Sequence, residues 1–333
     1  MSEKGQTGLT VSVALCTYNG SRHILEQLSS ILGQTRLPEE IVVSDDASTD
    51  GTESMVRDAL AAAGDRGIAV RLLGDGIRRG VSANFALAIG ACTADMVVLS
   101  DQDDVWHPRR IEAAVEAFRG DPTLMMRHEN ARLVDERGRP LGVTLYGALA
   151  VTPDDRAGID RGAAFPVYLR RNLATGATMS FRRALFDRAA PIPDEWVHDE
   201  WLAIVASTLG RVDASDDILV DYRQHGSNVI GVTVPTFGYR VRRMLGSEQS
   251  RNRALATRSR ILAERLASMT GVSRDHRSSA AAKARFELAR AALPASRVRR
   301  LPGILRIARG GQYHRFASQG RLDMVRDLVQ RAT

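Results

Sequence analysis

The 333-residue chain is 44% hydrophobic and 26% charged, which excludes a disordered chain and allows one large buried core with a smaller part beside it. Its net charge of +7 is unevenly placed: from Pro235 onward 22 Arg and Lys face 6 Asp and Glu, whereas residues 1–234 hold 24 against 33. An acidic front and a basic rear are expected to do different work, with boundaries at 1–234 and 235–333.

Thr10 to Leu15 reads as a buried strand that ends at Cys16-Thr17-Tyr18-Asn19-Gly20. A helix is expected from Ser21, as N-cap, with Ile24, Leu25, Leu28, Ile31 and Leu32 on one face. Ile41 to Val43 is a second strand that runs into Ser44-Asp45-Asp46, and Asp50 with Glu53 predicts a capping box for the next helix. Val70 to Leu73 and Met96 to Leu99 are further strands, the latter leading into Ser100-Asp101-Gln102-Asp103-Asp104. Pro108 suits the first turn of a helix through Phe118. Residues 121–165 read as irregular, with short strands around Ala131 to Val134, and Asn172 to Phe181 as a strand carrying Gly176. Beyond Pro235 the pattern is helical and Arg-rich, with a helix expected over Ala280 to Leu293.

Strands alternating with amphipathic helices predict an α/β fold, a Rossmann-like, mostly parallel sheet flanked by helices, with a helical basic extension. In such sheets ligands bind beyond the carboxyl ends of the strands, so both acid clusters should meet on one edge. Met1 to Gly8 lacks the apolar segment of a signal peptide, and no stretch approaches the roughly 20 apolar residues of a bilayer span. Cys16 and Cys92 lack metal-type spacing and predict buried free thiols in a reducing, cytoplasmic compartment.

Asp101-Gln102-Asp103 carries the strongest local signal. Two carboxylates one residue apart at a strand end can share a hard divalent cation, Mg²⁺ or Mn²⁺, which would neutralise a diphosphate. The alternative is a solvated acidic loop, but the apolar Met96 to Leu99 before it and Val105-Trp106 after it favour a built site. Asp46 is a candidate for a base imide or ribose hydroxyl, whereas Asp50 reads as a cap and the whole segment as a possible turn. In His198-Asp199-Glu200-Trp201, Asp199 is either a general base among aromatics or part of a helix start. In Tyr222-Arg223-Gln224-His225-Gly226, Arg223 could clamp a phosphate and His225 ligate a metal, or the histidine could be structural.

Taken together, from about Thr10 to Val232, these segments resemble glycosyltransferase family 2 enzymes of the GT-A fold, and within them the bacterial rhamnosyltransferase-like branch. The opening strand with Thr17, Tyr18 and Asn19, the Asp45-Asp46-Ala47-Ser48 segment and Gly80-Val81-Ser82-Ala83-Asn84-Phe85 fall in the family's order. So do Ser100-Asp101-Gln102-Asp103-Asp104-Val105-Trp106, His198-Asp199-Glu200-Trp201 and Tyr222 to Gly231. Ala47 stands where the family usually has glycine. The resemblance implies that Thr17, Tyr18, Asn19, Asp46, Ser82, Asn84, Asp101, Gln102 and Arg223 bind the nucleotide sugar. It also implies Asp101, Asp103 and His225 as metal ligands and Asp199 as catalytic base, with inversion at the anomeric carbon.

The implied donor is dTDP-rhamnose and the implied acceptor a glycan or lipid-linked saccharide in bacterial cell-surface polysaccharide synthesis. Two other readings stay open: a decayed nucleotide-sugar-binding module, and a sugar nucleotidyltransferase, which would be expected to carry a Gly-rich basic loop near the N-terminus. The basic rear part, with Arg240, Arg242, Arg243, Arg251, Arg253, Arg258 and Arg260, is expected on an anionic membrane at the inner face of the cell membrane. Nucleic acid is not expected, because stacking aromatics are sparse there.

Overall fold

The computed structural model describes residues 8–224 and 249–329. His225 and the arginines at 240, 242 and 243 lie outside the described residues. In chain order the elements are β1 (Val11–Thr17), α1 (Ile24–Leu32), β2 (Glu40–Asp45), α2 (Thr52–Ala59), β3 (Ala69–Leu73), α3 (Val81–Ala91), β4 (Met96–Ser100) and β5 (Val105–Trp106). Next come α4 (Arg110–Gly120), β6 (Leu124–Val134), β7 (Pro140–Thr144), α5 (Leu145–Ala148), α6 (Pro153–Asp160), α7 (Ala164–Arg170), β8 (Met179–Arg182), α8 (Ala184–Ala189), α9 (His198–Leu209) and β9 (Arg211–Arg223). The rear of the chain forms α10 (Gln249–Ser268), α11 (Arg274–Ala291), α12 (Arg297–Ala308), α13 (Gln312–Phe316) and α14 (Arg321–Val329).

Among the described residues the chain divides into two compact units: 8–162, 174–206 and 210–224 in the first, and 163–173, 207–209 and 249–329 in the second. The first unit is built on one sheet with strand order β3-β2-β1-β4-β8-β6-β9-β5, β7 pairing with β6. β3, β2, β1 and β4 are parallel, and β8 joins β4 antiparallel. The sheet is therefore parallel where the acid clusters end it and mixed beyond. Register pairs Thr17 with Asp45 and Leu15 with Ser100, so the ends of β2, β1 and β4 open at one edge.

Every residue of β1, β2 and β4 is buried. Val11, Val13, Leu15, Ile41, Val43, Met96 and Val98 pack against Ile24, Leu28 and Ile31 of α1 and Ile111, Val115 and Phe118 of α4. Each such side chain removed from water contributes about 1.5–3 kcal/mol. This core holds the strand ends rigid. Both cysteines are free and buried, as expected, and no described helix is long and apolar enough to cross a membrane.

Four local expectations are corrected. Ser21 does not cap α1, which starts after a turn in which the His23 amide donates to the Gly20 carbonyl. Gly51, at φ 89°, is the N-cap of α2; Asp50 bonds the Thr52 amide from one position earlier, and Glu53 pairs instead with Arg57. Residues 176–178 form a short 3-10 turn before the strand begins at Met179. Residues 121–165 contain β6, β7, α5 and α6 rather than irregular chain. The strand expected around Ala131 to Val134 is the end of β6; its earlier part does not read as a strand because its middle is Arg127-His128-Glu129-Asn130, four polar residues that are all buried. Arg127 bonds Asp213 and Asp217 at 2.8 and 2.7 Å, Glu129 pairs with Arg110 at 2.7 Å, and Asn130 accepts from the Tyr146 amide.

The second unit is helical, and its interior is ionic as well as apolar. Phe286 lies edge-on to Tyr313 at 5.3 Å and tilted against Phe316 at 5.7 Å. Around them Arg290 forks onto Asp327 at 2.7 and 3.0 Å, Lys283 pairs with Glu287 at 2.6 Å and Tyr313 Oη donates to Asp327 at 2.7 Å. Asp323, Asp327 and Glu287 are all buried. Removing one partner of such a pair would leave a buried charge at a cost of several kcal/mol, about 3–5.

Candidate active site

Three loops leave the common edge of the sheet and lock to one another through polar groups. After β1, the Tyr18 amide donates to Gln102 Oε1 at 2.8 Å, and Gln102 Nε2 donates back to the Tyr18 carbonyl at 3.0 Å. Gly20 is required beneath this clasp, because a Cβ there would lie 2.2 Å from Gln102 Oε1. The Asn19 amide donates to Ser48 Oγ at 2.8 Å and Asn19 Oδ1 accepts from the Thr49 amide at 2.8 Å, with Asn19 itself at φ 47°. Gln102 thus ties the β1 loop to the β4 loop, and Asn19 ties it to the β2 loop.

Asp45 and Asp46 divide the work after β2. Asp46 accepts from the Arg79 amide at 2.5 Å and the Gly80 amide at 2.9 Å, fixing the turn into α3. Asp45 accepts from Thr17 Oγ1 and Ser48 Oγ, both at 2.6 Å. It lines a pocket of about 150 Å³ with Thr17, Val43, Val56, Leu72 and Gly74. A cavity of that size admits a single six-membered ring. Asp45, which the sequence ranks below Asp46, is therefore the carboxylate beside the ring-sized slot, and the alternation of the strand, which sends the two to opposite faces, is the signal that separates them. Arg78 lies 4.2 Å over the Tyr18 ring. Asn84 is buried with both amide ends on Ser44, at 2.6 and 2.9 Å.

The β4 loop concentrates carboxylates. Burial first, then the charges of Asp103 and Asp199, push the Asp101 carboxyl up to about 7, while Arg110 pulls it down. Burial and the charges of Asp103 and Asp101 likewise raise Asp104, whose Oδ1 accepts from the Arg223 amide at 3.0 Å. Arg223 is buried behind this loop; its guanidinium donates to the Asp103 carbonyl at 2.7 Å, the Glu136 carbonyl at 3.1 Å and Glu26 at 2.7 Å. The geometry makes it a brace for the acidic loop.

Asp199 comes from far along the chain, in the first turn of α9. Its Oδ2 accepts from the Gly176 amide at 3.0 Å and its Oδ1 from the Glu200 amide at 2.6 Å, which fixes the carboxylate plane. Its neighbour His198 is buried and stacks on Phe85 at 4.1 Å, and its amide donates to Ser82 Oγ at 3.3 Å. Burial lowers His198 to about 3, so the ring is neutral, and neither ring nitrogen has a partner among the described residues. Gly176 is confined here, since a Cβ would meet His198 Nε2 at 2.9 Å.

Among the described residues no group of three Asp, Glu, His or Cys side chains is gathered for a metal ion. Asp101 and Asp103 nevertheless fit a hard divalent cation: both offer carboxylate oxygens, and the mutual repulsion that raises Asp101 is what a cation would relieve. Further ligands would come from the substrate. Thr17, Tyr18, Asn19, Asp46, Asp101, Gln102 and Asp103 thus gather on the three loops, and Ser82 and Asp199 meet at His198.

Residues 12–141 match the family model described as Glycosyl transferase family 2. An uncharacterized glycosyltransferase of Nostoc sp. is 25% identical over 232 residues, which cover 66% of this chain and 66% of the relative. The chondroitin synthase of Escherichia coli is 25% identical over 179 residues, 54% of this chain and 23% of that protein. The chain therefore spans just under two thirds of the first relative's length and under a quarter of the second's. Among solved structures, S. aureus TarS 1-349 in complex with UDP-GlcNAc superposes with a TM-score of 0.55 at 17% identity, covering 96% of this chain and 82% of that one. A mannosyltransferase of Pyrobaculum calidifontis in complex with GDP-Man and Mn²⁺ gives 0.50 at 24% identity, over 97% and 87%. Residues 12–141 thus resemble glycosyl transferase family 2, and the fold is the GT-A fold.

Proposed function

We propose that the protein is an inverting, metal-dependent glycosyltransferase that moves a sugar from a nucleotide sugar to an acceptor hydroxyl. The observation that carries this reading is the meeting of Asp199, from α9, with the Asp101–Asp103 run after β4, close enough that its charge raises Asp101. The ring-sized slot at Asp45 and Thr17 receives the nucleobase, and the Tyr18–Gln102 clasp holds the loops over the diphosphate. Asp101 and Asp103, with His225, would hold Mg²⁺ or Mn²⁺, which would neutralise the departing nucleoside diphosphate.

Asp199 takes the proton of the acceptor hydroxyl as its oxygen bonds the anomeric carbon. The bond from that carbon to the phosphate oxygen breaks, and its electron pair leaves with the diphosphate. Attack from the face opposite the leaving group inverts the centre. Two backbone amides already aim the Asp199 carboxylate, so orientation need not be acquired during reaction.

The rhamnosyltransferase-like motif order makes dTDP-rhamnose the first donor to test and a cell-surface glycan, free or lipid-linked, the acceptor class. In this reading 1–234 is the transferase domain and 235–333 an accessory part that meets an anionic membrane from the cytoplasmic side. Asp199→Asn tests the base directly: nucleoside diphosphate binding is retained while transfer falls about 10²- to 10⁴-fold. Undiminished transfer in that variant removes Asp199 from the mechanism.

A further inference from the structure

We infer that α12 and α14 of the second unit form an interfacial surface that docks on an anionic lipid bilayer. As a deepening of the membrane contact proposed above, the choice of lipid as occupant rests on that reading. α14 is built inside out: Asp323, Arg326 and Asp327 are buried, while Leu322, Val325 and Val329 are 54%, 48% and 43% exposed. Their spacing of three and then four residues puts all three on one stripe of the helix. α12 repeats the pattern. Arg300, Ile304 and Ile307 are its buried residues, whereas Val298, Leu301 and Leu305, at the same spacing, are 84%, 48% and 53% exposed. The two helices pack together, and Arg300 Nη1 donates to the Asp327 carbonyl at 3.1 Å between them.

Single exposed leucines need no explanation, but two matching stripes on neighbouring helices do. Charge identifies the occupant. Between Arg297 and Val329 the only acids are Asp323 and Asp327, and both are buried. Arg297, Arg299, Arg306, Arg309, Arg315 and Arg321 are all exposed. A surface of aliphatic residues ringed by arginine, with its acids turned inward, matches an interface that supplies acyl chains and anionic headgroups together. A second copy of the same patch would bring arginines against arginines. A nucleic acid would find no aromatic platform, because Tyr313 and Phe316 are buried.

The test uses the full chain with vesicles of phosphatidylcholine alone and of phosphatidylcholine with phosphatidylglycerol, pelleted at low and high salt. The protein is expected to pellet with the anionic vesicles. Leu301→Ser with Leu305→Ser should weaken binding roughly tenfold. Arg297→Gln and Arg306→Gln should each weaken it about fivefold at low salt and much less at high salt. All four side chains are exposed, and two independent variant sets guard against a folding defect in one. Binding to anionic vesicles that neither set weakens overturns the surface. So does a wild-type protein that ignores vesicles, whether it then forms a dimer that the serine pair disrupts or binds an oligonucleotide instead. Nucleotide-sugar hydrolysis is followed in the same preparations without vesicles and should be unchanged in every variant. Intact vesicle binding without hydrolysis of any donor overturns the transferase reading; intact hydrolysis without vesicle binding overturns the surface alone.

Discussion

Gly176 and Gly20 show how single residues shape this site through space rather than chemistry. A methyl group at 176 would press on His198 Nε2 at 2.9 Å, on the turn whose amide aims Asp199. Gly176→Ala is therefore expected to lower turnover about tenfold to a hundredfold while nucleoside diphosphate binding by calorimetry stays close to wild type. Equal losses in both would mean that the substitution disturbs the donor site instead. Gly20→Ala should act the other way, since its Cβ would strike Gln102 and open the Tyr18–Gln102 clasp, raising KM for the proposed nucleotide-sugar donor more than it lowers kcat. The carboxylates at the candidate site stand out in the sequence at this scale: Asp101, Asp103 and Asp199 follow apolar strands or precede an apolar helix. What was hidden was the division of labour. Asp45 and Asp46 are adjacent and identical in type, and only the pleat, which sends neighbours to opposite faces, decides which one lines the slot.

At the scale of elements, the front of the sheet was readable because β1, β2 and β4 are uninterrupted buried runs between amphipathic helices. Of β6 only the end, Ala131 to Val134, was readable, and β9 was not, because the rest of both reads as polar. β9 carries Asp213, Asp217 and Asp221, which meet Arg127 and Arg132 of β6 across a parallel pair. Such pairing is set by tertiary neighbours and leaves no local periodicity. Asn84 makes a related point for α3: it pins the helix to β2 by two bonds to Ser44. Asn84→Ala strands both Ser44 groups in the core and should cost about 1–3 kcal/mol in denaturant unfolding. A loss of only a few tenths would show that the helix is held by its apolar face alone.

Across the whole molecule, buried histidines link stability to pH. His128 is held by burial at about 3, and the charges of Arg156 and Arg127 add to that lowering. The unfolded imidazole binds a proton near pH 6.5, so the unfolded state takes up protons that the folded state refuses as pH falls. Stability from this source is complete above about 6.5 and declines toward 3, reaching a loss of about 2 kcal/mol by pH 5. The raised carboxyls of Asp101, Asp104 and Glu129 oppose it, because they bind protons more readily folded than unfolded. The difference between His128→Gln and wild type isolates the histidine: the variant should lose less stability from pH 7 to about 5. Parallel pH profiles would contradict a neutral, buried His128.

The central claim is that the three loop ends and Asp199 form one metal-assisted transfer site. It is tested most directly by incubating the protein with a panel of nucleotide sugars, with Mg²⁺ or Mn²⁺ and then with EDTA, and measuring release of nucleoside diphosphate. Release from one donor, dependent on the cation and lost in Asp103→Asn, is the predicted result, with dTDP-rhamnose the expected donor. Release that persists in EDTA and in Asp103→Asn would contradict it.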